Sequence, residues 1–145
     1  MTEASPSKGR ECVEVPVYPT VEYVLKLYAD VTGIPPEAAP KYVRDRDVLE
    51  SALQRPRQAA FCAGADLIMQ AAHLLWGLIR GHPFIDGNKR IASVVAEGFL
   101  AANGWAIVAT EDEKFFLLIN VAKHQLTVDQ IAVWIREHLE VYDPE

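Results

Sequence analysis

Apolar residues recur along this chain at helical spacing, broken by short runs of Pro, Gly and Asn, and strict strand-like alternation is nearly absent. Val21, Val24, Leu25 and Tyr28 share one face of a first helix, with Thr20 as its cap and Gly33, Pro35 and Pro36 as its stop. After a loop rich in Pro and Ala, Asp45 or Asp47 opens a short second helix carrying Leu49, Ala52 and Leu53, which Pro56 is expected to close. Positions 55–64 lack helical character, and Gln58-Ala59-Ala60-Phe61-Cys62 reads as extended chain. That stretch is either an idle surface loop, the plainer reading of the residues alone, or one side of a small hairpin flap offering an edge to a protein substrate.

The most hydrophobic helix spans 66–80, with Leu67, Ala71, Leu74 and Leu78 on one face and Ile68, Ala72, Leu75 and Ile79 beside them. Only Asp66, Gln70, His73, Gly77 and Arg80 form a polar stripe, so this helix should be central and nearly surrounded. His73 on that stripe needs no catalytic role. Ile91, Val94, Val95, Gly98, Phe99 and Ala102 mark a further helix that stops at Asn103-Gly104. A short extended or loop connection follows at 105–109. The helix at 111–122 carries Phe115, Leu118, Ile119 and Ala122, and Thr127 with Gln130 forms a capping box for a last helix bearing Ile131, Trp134, Ile135 and Leu139. The expectation is an all-α domain of about six helices over 15–145, with a small hairpin flap at most, preceded by a flexible lead-in at 1–14.

Composition narrows the function. The chain has 145 residues, 50% of them hydrophobic and 23% charged, which suits one globular domain. A formal net charge of −6 argues against a broad nucleic-acid or anionic-membrane surface. Two cysteines, Cys12 and Cys62, make neither a disulfide framework nor a zinc site, and a reducing cytoplasm is the natural setting. The first ten residues hold no apolar core that would serve as signal or anchor.

The chemistry concentrates in Gly81-His82-Pro83-Phe84-Ile85-Asp86-Gly87-Asn88-Lys89-Arg90, between two buried helices. Asp86 suits a cap and Gly87 a close backbone approach, so the N–H groups of the following helix would form an anion site. Lys89 and Arg90 oppose the helix dipole unless an anion sits there. His82 suits a general base, Asp86 a Mg²⁺ ligand, and Gly87, Asn88, Lys89 and Arg90 a phosphate cradle. Phosphoryl or nucleotidyl transfer follows. His82 and Asp86 lack a third partner for zinc, and no Gly-x-x-x-x-Gly-Lys, Gly-x-Gly-x-x-Gly or Gly-x-Ser-x-Gly motif occurs.

The run from His82 to Arg90 closely resembles the signature of the Fic/Doc family, and Lys89 resembles its Doc (death-on-curing) branch. Weaker similarity extends upstream to Leu49-Glu50-Ser51-Ala52-Leu53 with Arg55-Pro56, and downstream to Phe99-Leu100-Ala101-Ala102-Asn103-Gly104. The resemblance implies the small helical Fic fold, with His82 as the base, Phe84 as the anchor pinning the loop into the core, and Asp86 as the Mg²⁺ ligand. It assigns the nucleotide phosphates to Gly87, Asn88, Lys89 and Arg90, and turns Arg57, Gln58, Ala59, Ala60 and Phe61 into a target-docking flap.

Two departures set this chain apart from the adenylylating Fic pattern, which has Gly in place of Lys89 and a second Arg in place of Ser93. Both disfavour the orientation of ATP that delivers AMP. The Doc-like expectation is a kinase that moves the γ-phosphate of ATP onto a hydroxyl of a translation factor such as elongation factor Tu. Such a toxin is neutralised by an antitoxin whose disordered segment folds onto it. Adenylylation and an inactive binding module are the alternatives. Ser93-Val94-Val95-Ala96-Glu97-Gly98 matches the family's inhibitory Ser-x-x-x-Glu-Gly motif, a coincidence on this reading because Glu97 has no second Arg to engage.

Overall fold

Thr20, Asp45, Asp66, Thr110 and Thr127 each accept a hydrogen bond from the backbone three residues on, and each starts a helix. The computed structural model describes residues 15–142, so the lead-in expected at 1–14 lies outside the described residues. Within them run α1 (Val21–Thr32), a 3₁₀ segment (Pro36–Tyr42), α2 (Arg46–Ala63), α3 (Leu67–Gly81), α4 (Asn88–Ala102), β1 (Trp105–Ile107), α5 (Glu111–Ala122), α6 (Val128–Glu137) and β2 (Leu139–Val141). The two strands pair antiparallel, Ala106 opposite Glu140. The expected mainly helical fold is the one observed, and no described helix is long and apolar enough to cross a membrane.

The third helix is the hub. Ala71, Ala72, Leu74, Leu78 and Ile79 are fully buried, and the helix packs on α2, α4, α5 and α6. The middle of its polar stripe faces other elements rather than solvent, while Asp66 at its start is exposed. Gln70 is buried, accepting from the Tyr18 hydroxyl at 2.7 Å and donating to the Ala65 carbonyl at 3.1 Å. Gly77 lies against α2, where an added methyl would stand 2.7 Å from Arg55 Cδ. His73 Nδ1 meets the Arg55 guanidinium at 3.0 Å, and burial with that cation beside it lowers the His73 pKa. His73 and Gly77 thus seat α2.

The hairpin flap is not there. Positions 57–61 form the last turns of α2, which continues through Pro56 to Ala63 and ends on Gly64 in the left-handed conformation. Pro56 removes one helical hydrogen bond, at a cost of about 3 kcal/mol. Ala52, Leu53, Pro56 and Ala59 nevertheless line one buried face against α3, and that burial outweighs the local penalty. Arg57 stacks over the Tyr18 ring at 4.3 Å, and Phe61 projects 91% exposed. In α5 the buried face centres on Leu117 and Val121 rather than on Phe115. An unbroken run of apolar residues from Phe115 to Ile119 leaves the helical phase undefined in sequence.

Gln58→Pro tests the helical assignment, because the Gln58 side chain is exposed and the substitution removes no core packing. A loss of about 3 kcal/mol in denaturant unfolding is expected. Wild-type stability would mean that the segment is not helical.

Candidate active site

The loop between α3 and α4 is held first by the side chain that starts α4. Asn88, the first residue of α4, is buried. Its Oδ1 accepts from the Phe84 N–H at 2.9 Å, and its Nδ2 donates to the Phe84 carbonyl at 2.9 Å. One amide thus pairs with both the N–H and the carbonyl of a single residue, and the side chain expected to meet phosphate also holds the loop. Phe84 is 1% exposed, stacked on Tyr28 with ring centroids 4.2 Å apart and 5° between planes.

Tyr28 does more than pack. Its hydroxyl donates to the Asp86 carbonyl at 3.1 Å and lies 3.3 Å from Asp86 Oδ1. Burial, then the neighbouring Asp86 carboxylate, push its pKa up to about 12, so it remains a donor throughout the physiological range. Asp86 is fixed from the core in this way and does not cap α4. That role falls to Gly87 in the left-handed conformation, with no side chain on the first N–H groups. The N-terminus of α4 is left open as a site for an anion.

A second strap comes from 42–45. Val43 pairs with Phe84 as an isolated antiparallel bridge, with Ile85 N–H donating to the Tyr42 carbonyl at 2.8 Å and Arg44 N–H to the Pro83 carbonyl at 2.7 Å. The Arg44 side chain donates to the carbonyls of His82 at 2.8 Å and Gly81 at 3.0 Å. Those are the last carbonyls of α3, where a cation also complements the helix dipole. The extended segment beside the loop is therefore 43–45. Positions 57–61 take no part in the cavity that His82 lines. Sequence reasoning missed Arg44 and the Tyr28 hydroxyl because both act across long separations.

His82 ends α3 at φ 50°, ψ 55°, a left-handed conformation that is costly for a residue with a Cβ. The bend turns its exposed side chain out of the helix and onto a cavity of about 790 Å³. Asp86, Gly87, Asn88, Lys89 and Arg90 line the same cavity, as do Ser93 and Glu97 further along α4 and Lys114 and Phe115 on α5. Among the described residues, no carboxylate lies within ion-pair distance of Lys89 or Arg90. The cavity thus presents a histidine, a carboxylate, an open helix N-terminus and cations on one wall, within the size range of small-molecule sites.

Among the described residues no group of three or more His, Cys, Asp or Glu could hold a metal alone. Asp86 by itself suits Mg²⁺, which keeps several waters and is commonly held by one carboxylate together with the phosphates of its substrate.

A protein-family model described as the Fic/DOC family matches residues 18–100. Toxin Doc of Mycolicibacterium smegmatis is 37% identical over 94 residues, covering 62% of this chain and 72% of its own length. The matched region runs from the segment before α1 to the last turns of α4, and includes the whole loop with both of its straps.

Asn88→Ala strands the Phe84 N–H and carbonyl in a buried position. The expected cost is about 3 kcal/mol in denaturant unfolding. A loss below about 1 kcal/mol would show that the amide bridge does not hold the loop.

Proposed function

The chain belongs to the Fic/Doc family, and from that premise we propose that it is a Doc-like toxin. On this reading it is a protein kinase that transfers the γ-phosphate of ATP to a hydroxyl of a translation factor of the elongation factor Tu kind. The observation carrying this reading is the convergence of His82, Asp86, the open N-terminus of α4, Lys89 and Arg90 on one cavity.

His82 takes the proton of the target hydroxyl as its oxygen attacks the γ-phosphorus. The bond from that phosphorus to the β-bridging oxygen breaks, ADP leaves, and the target keeps the phosphoryl group. Charge developing on the transferred group meets the N–H groups of α4 and the side chains of Lys89 and Arg90, all in place before reaction. Asp86, held by Tyr28, is the residue that would bind Mg²⁺ arriving with ATP. That ion supplies charge neutralisation at the phosphates when bound.

Lys89 and Ser93 favour phosphate transfer over AMP transfer. A lysine fills and charges the position where the adenylylating pattern brings bare backbone to a diphosphate. Serine supplies no guanidinium for the phosphate at the other end. ATP then sits with its γ-phosphate toward His82. The partner expected for such a toxin is an antitoxin with a disordered segment that folds onto it, as the relative named Toxin Doc suggests.

His82→Ala is expected to abolish both transfer and growth arrest while leaving thermal unfolding near that of wild type, since the side chain is exposed. A fully active variant would remove His82 as the base. Lys89→Gly combined with Ser93→Arg should shift the product toward the AMP adduct, read by the mass added to the target. An unchanged phosphate adduct would contradict the orientation argument.

A further inference from the structure

Ser93, Glu97 and Lys114 form a second polar station on the cavity wall, and the proposed transfer does not use them. Ser93 and Glu97 stand one turn apart on α4, and Ser93 Oγ donates to Glu97 Oε2 at 3.1 Å. Lys114 reaches across from α5 and donates to Glu97 Oε1 at 3.2 Å. The pair is half-buried, with side chains 22% exposed for Lys114 and 34% for Glu97. At 1.5 Å per residue, Glu97 lies about 12 Å along the axis of α4 from Lys89. Two cationic stations thus stand at separate depths of one groove.

The two stations differ in what they offer an anion. Both oxygens of Glu97 are already engaged, and the Ser93 hydroxyl is donating to one of them. Lys114 is the cation at that end of the cavity. An ammonium has three donors on a flexible stem, and the carboxylate takes one. The other two can serve an oxyanion without the lysine leaving the wall. A triphosphate is shorter than this backbone spacing, and the flexible stems of Lys89 and Lys114 make up the difference, whereas a single phosphate at Lys89 and Arg90 meets one station only.

We propose that Lys114 is a nucleotide-binding residue that takes the phosphate of the polyphosphate chain farther from His82, with Glu97 as its counter-ion when no nucleotide is bound. This rests on the reading of the cavity as an ATP site. It adds a binding cation from α5, outside the loop, and makes Glu97 a competitor that the incoming phosphate must displace in part. Removing the lysine and removing the glutamate charge should then act in opposite directions. A pair that merely ties α5 to α4 would respond in the same direction to both changes.

The test is calorimetric binding of Mg-ATP, and of inorganic tripolyphosphate with Mg²⁺, to wild type, Lys114→Gln, Lys114→Arg and Glu97→Gln, each checked for cooperative unfolding. Lys114→Gln should weaken both ligands by roughly tenfold or more, the loss of one charge-assisted contact. Lys114→Arg should stay within a few-fold of wild type, and Glu97→Gln should bind as tightly or more tightly. Affinity of Lys114→Gln within about twofold of wild type, or parallel weakening in Lys114→Gln and Glu97→Gln, would overturn the proposal. Either result would leave the kinase reading standing, since wild type would still bind ATP. Wild type that binds neither ligand would overturn both.

Discussion

The amide of Asn88 closed on the backbone N–H and carbonyl of Phe84 is the constraint on which the rest of the site depends. A loop joining two buried helices must satisfy its polar backbone somewhere, and here the first residue of the outgoing helix does so from within. The bridge holds the Phe84 ring against Tyr28, and Tyr28 in turn holds Asp86. From the other side, Arg44 gathers the carbonyls that end α3, just where His82 departs from helical geometry. The groups read as catalytic are therefore placed by the contacts behind them. Their positions follow from buried contacts rather than from the flexibility usual in a surface loop.

Electrostatics explains why the first turn of α4 breaks the usual rule. A helix ordinarily begins with acidic residues and a side-chain cap, and α4 has neither. Gly87 leaves the N–H groups open, and Lys89 with Arg90 adds positive charge where the dipole is already positive. The arrangement is unfavourable in isolation and becomes favourable when an anion arrives. The same logic extends to α5, where Lys114 is held on the cavity wall by a carboxylate whose place a phosphate can share.

Much of this was legible in the sequence. Helix caps at Thr20 and Thr127 and the central position of α3 follow from local rules, and the structure has them. What local rules misjudged is instructive. Pro56 reads as a stop, yet α2 runs on because Pro56 and Ala59 bury against α3. Gln70 and Gly77 read as part of a polar stripe, yet they are buried as the seat of other elements. In each case tertiary burial overrode a local preference of a few kcal/mol. The composition of the loop marked a cluster of polar residues, and the structure places them on one cavity. The work of Asn88 did not show there, because a side chain bonding the backbone four residues earlier has the same sequence as one facing phosphate. Lys114 was illegible for a related reason, since its partner Glu97 stands on another helix.

The most direct measurement is a paired labelling assay, with purified protein and Mg²⁺ incubated with elongation factor Tu and ATP labelled at either the α or the γ position. The account predicts label on the target from the γ position alone. Label from the α position would mean nucleotidyl transfer, and would contradict the orientation of ATP inferred from Lys89 and Ser93.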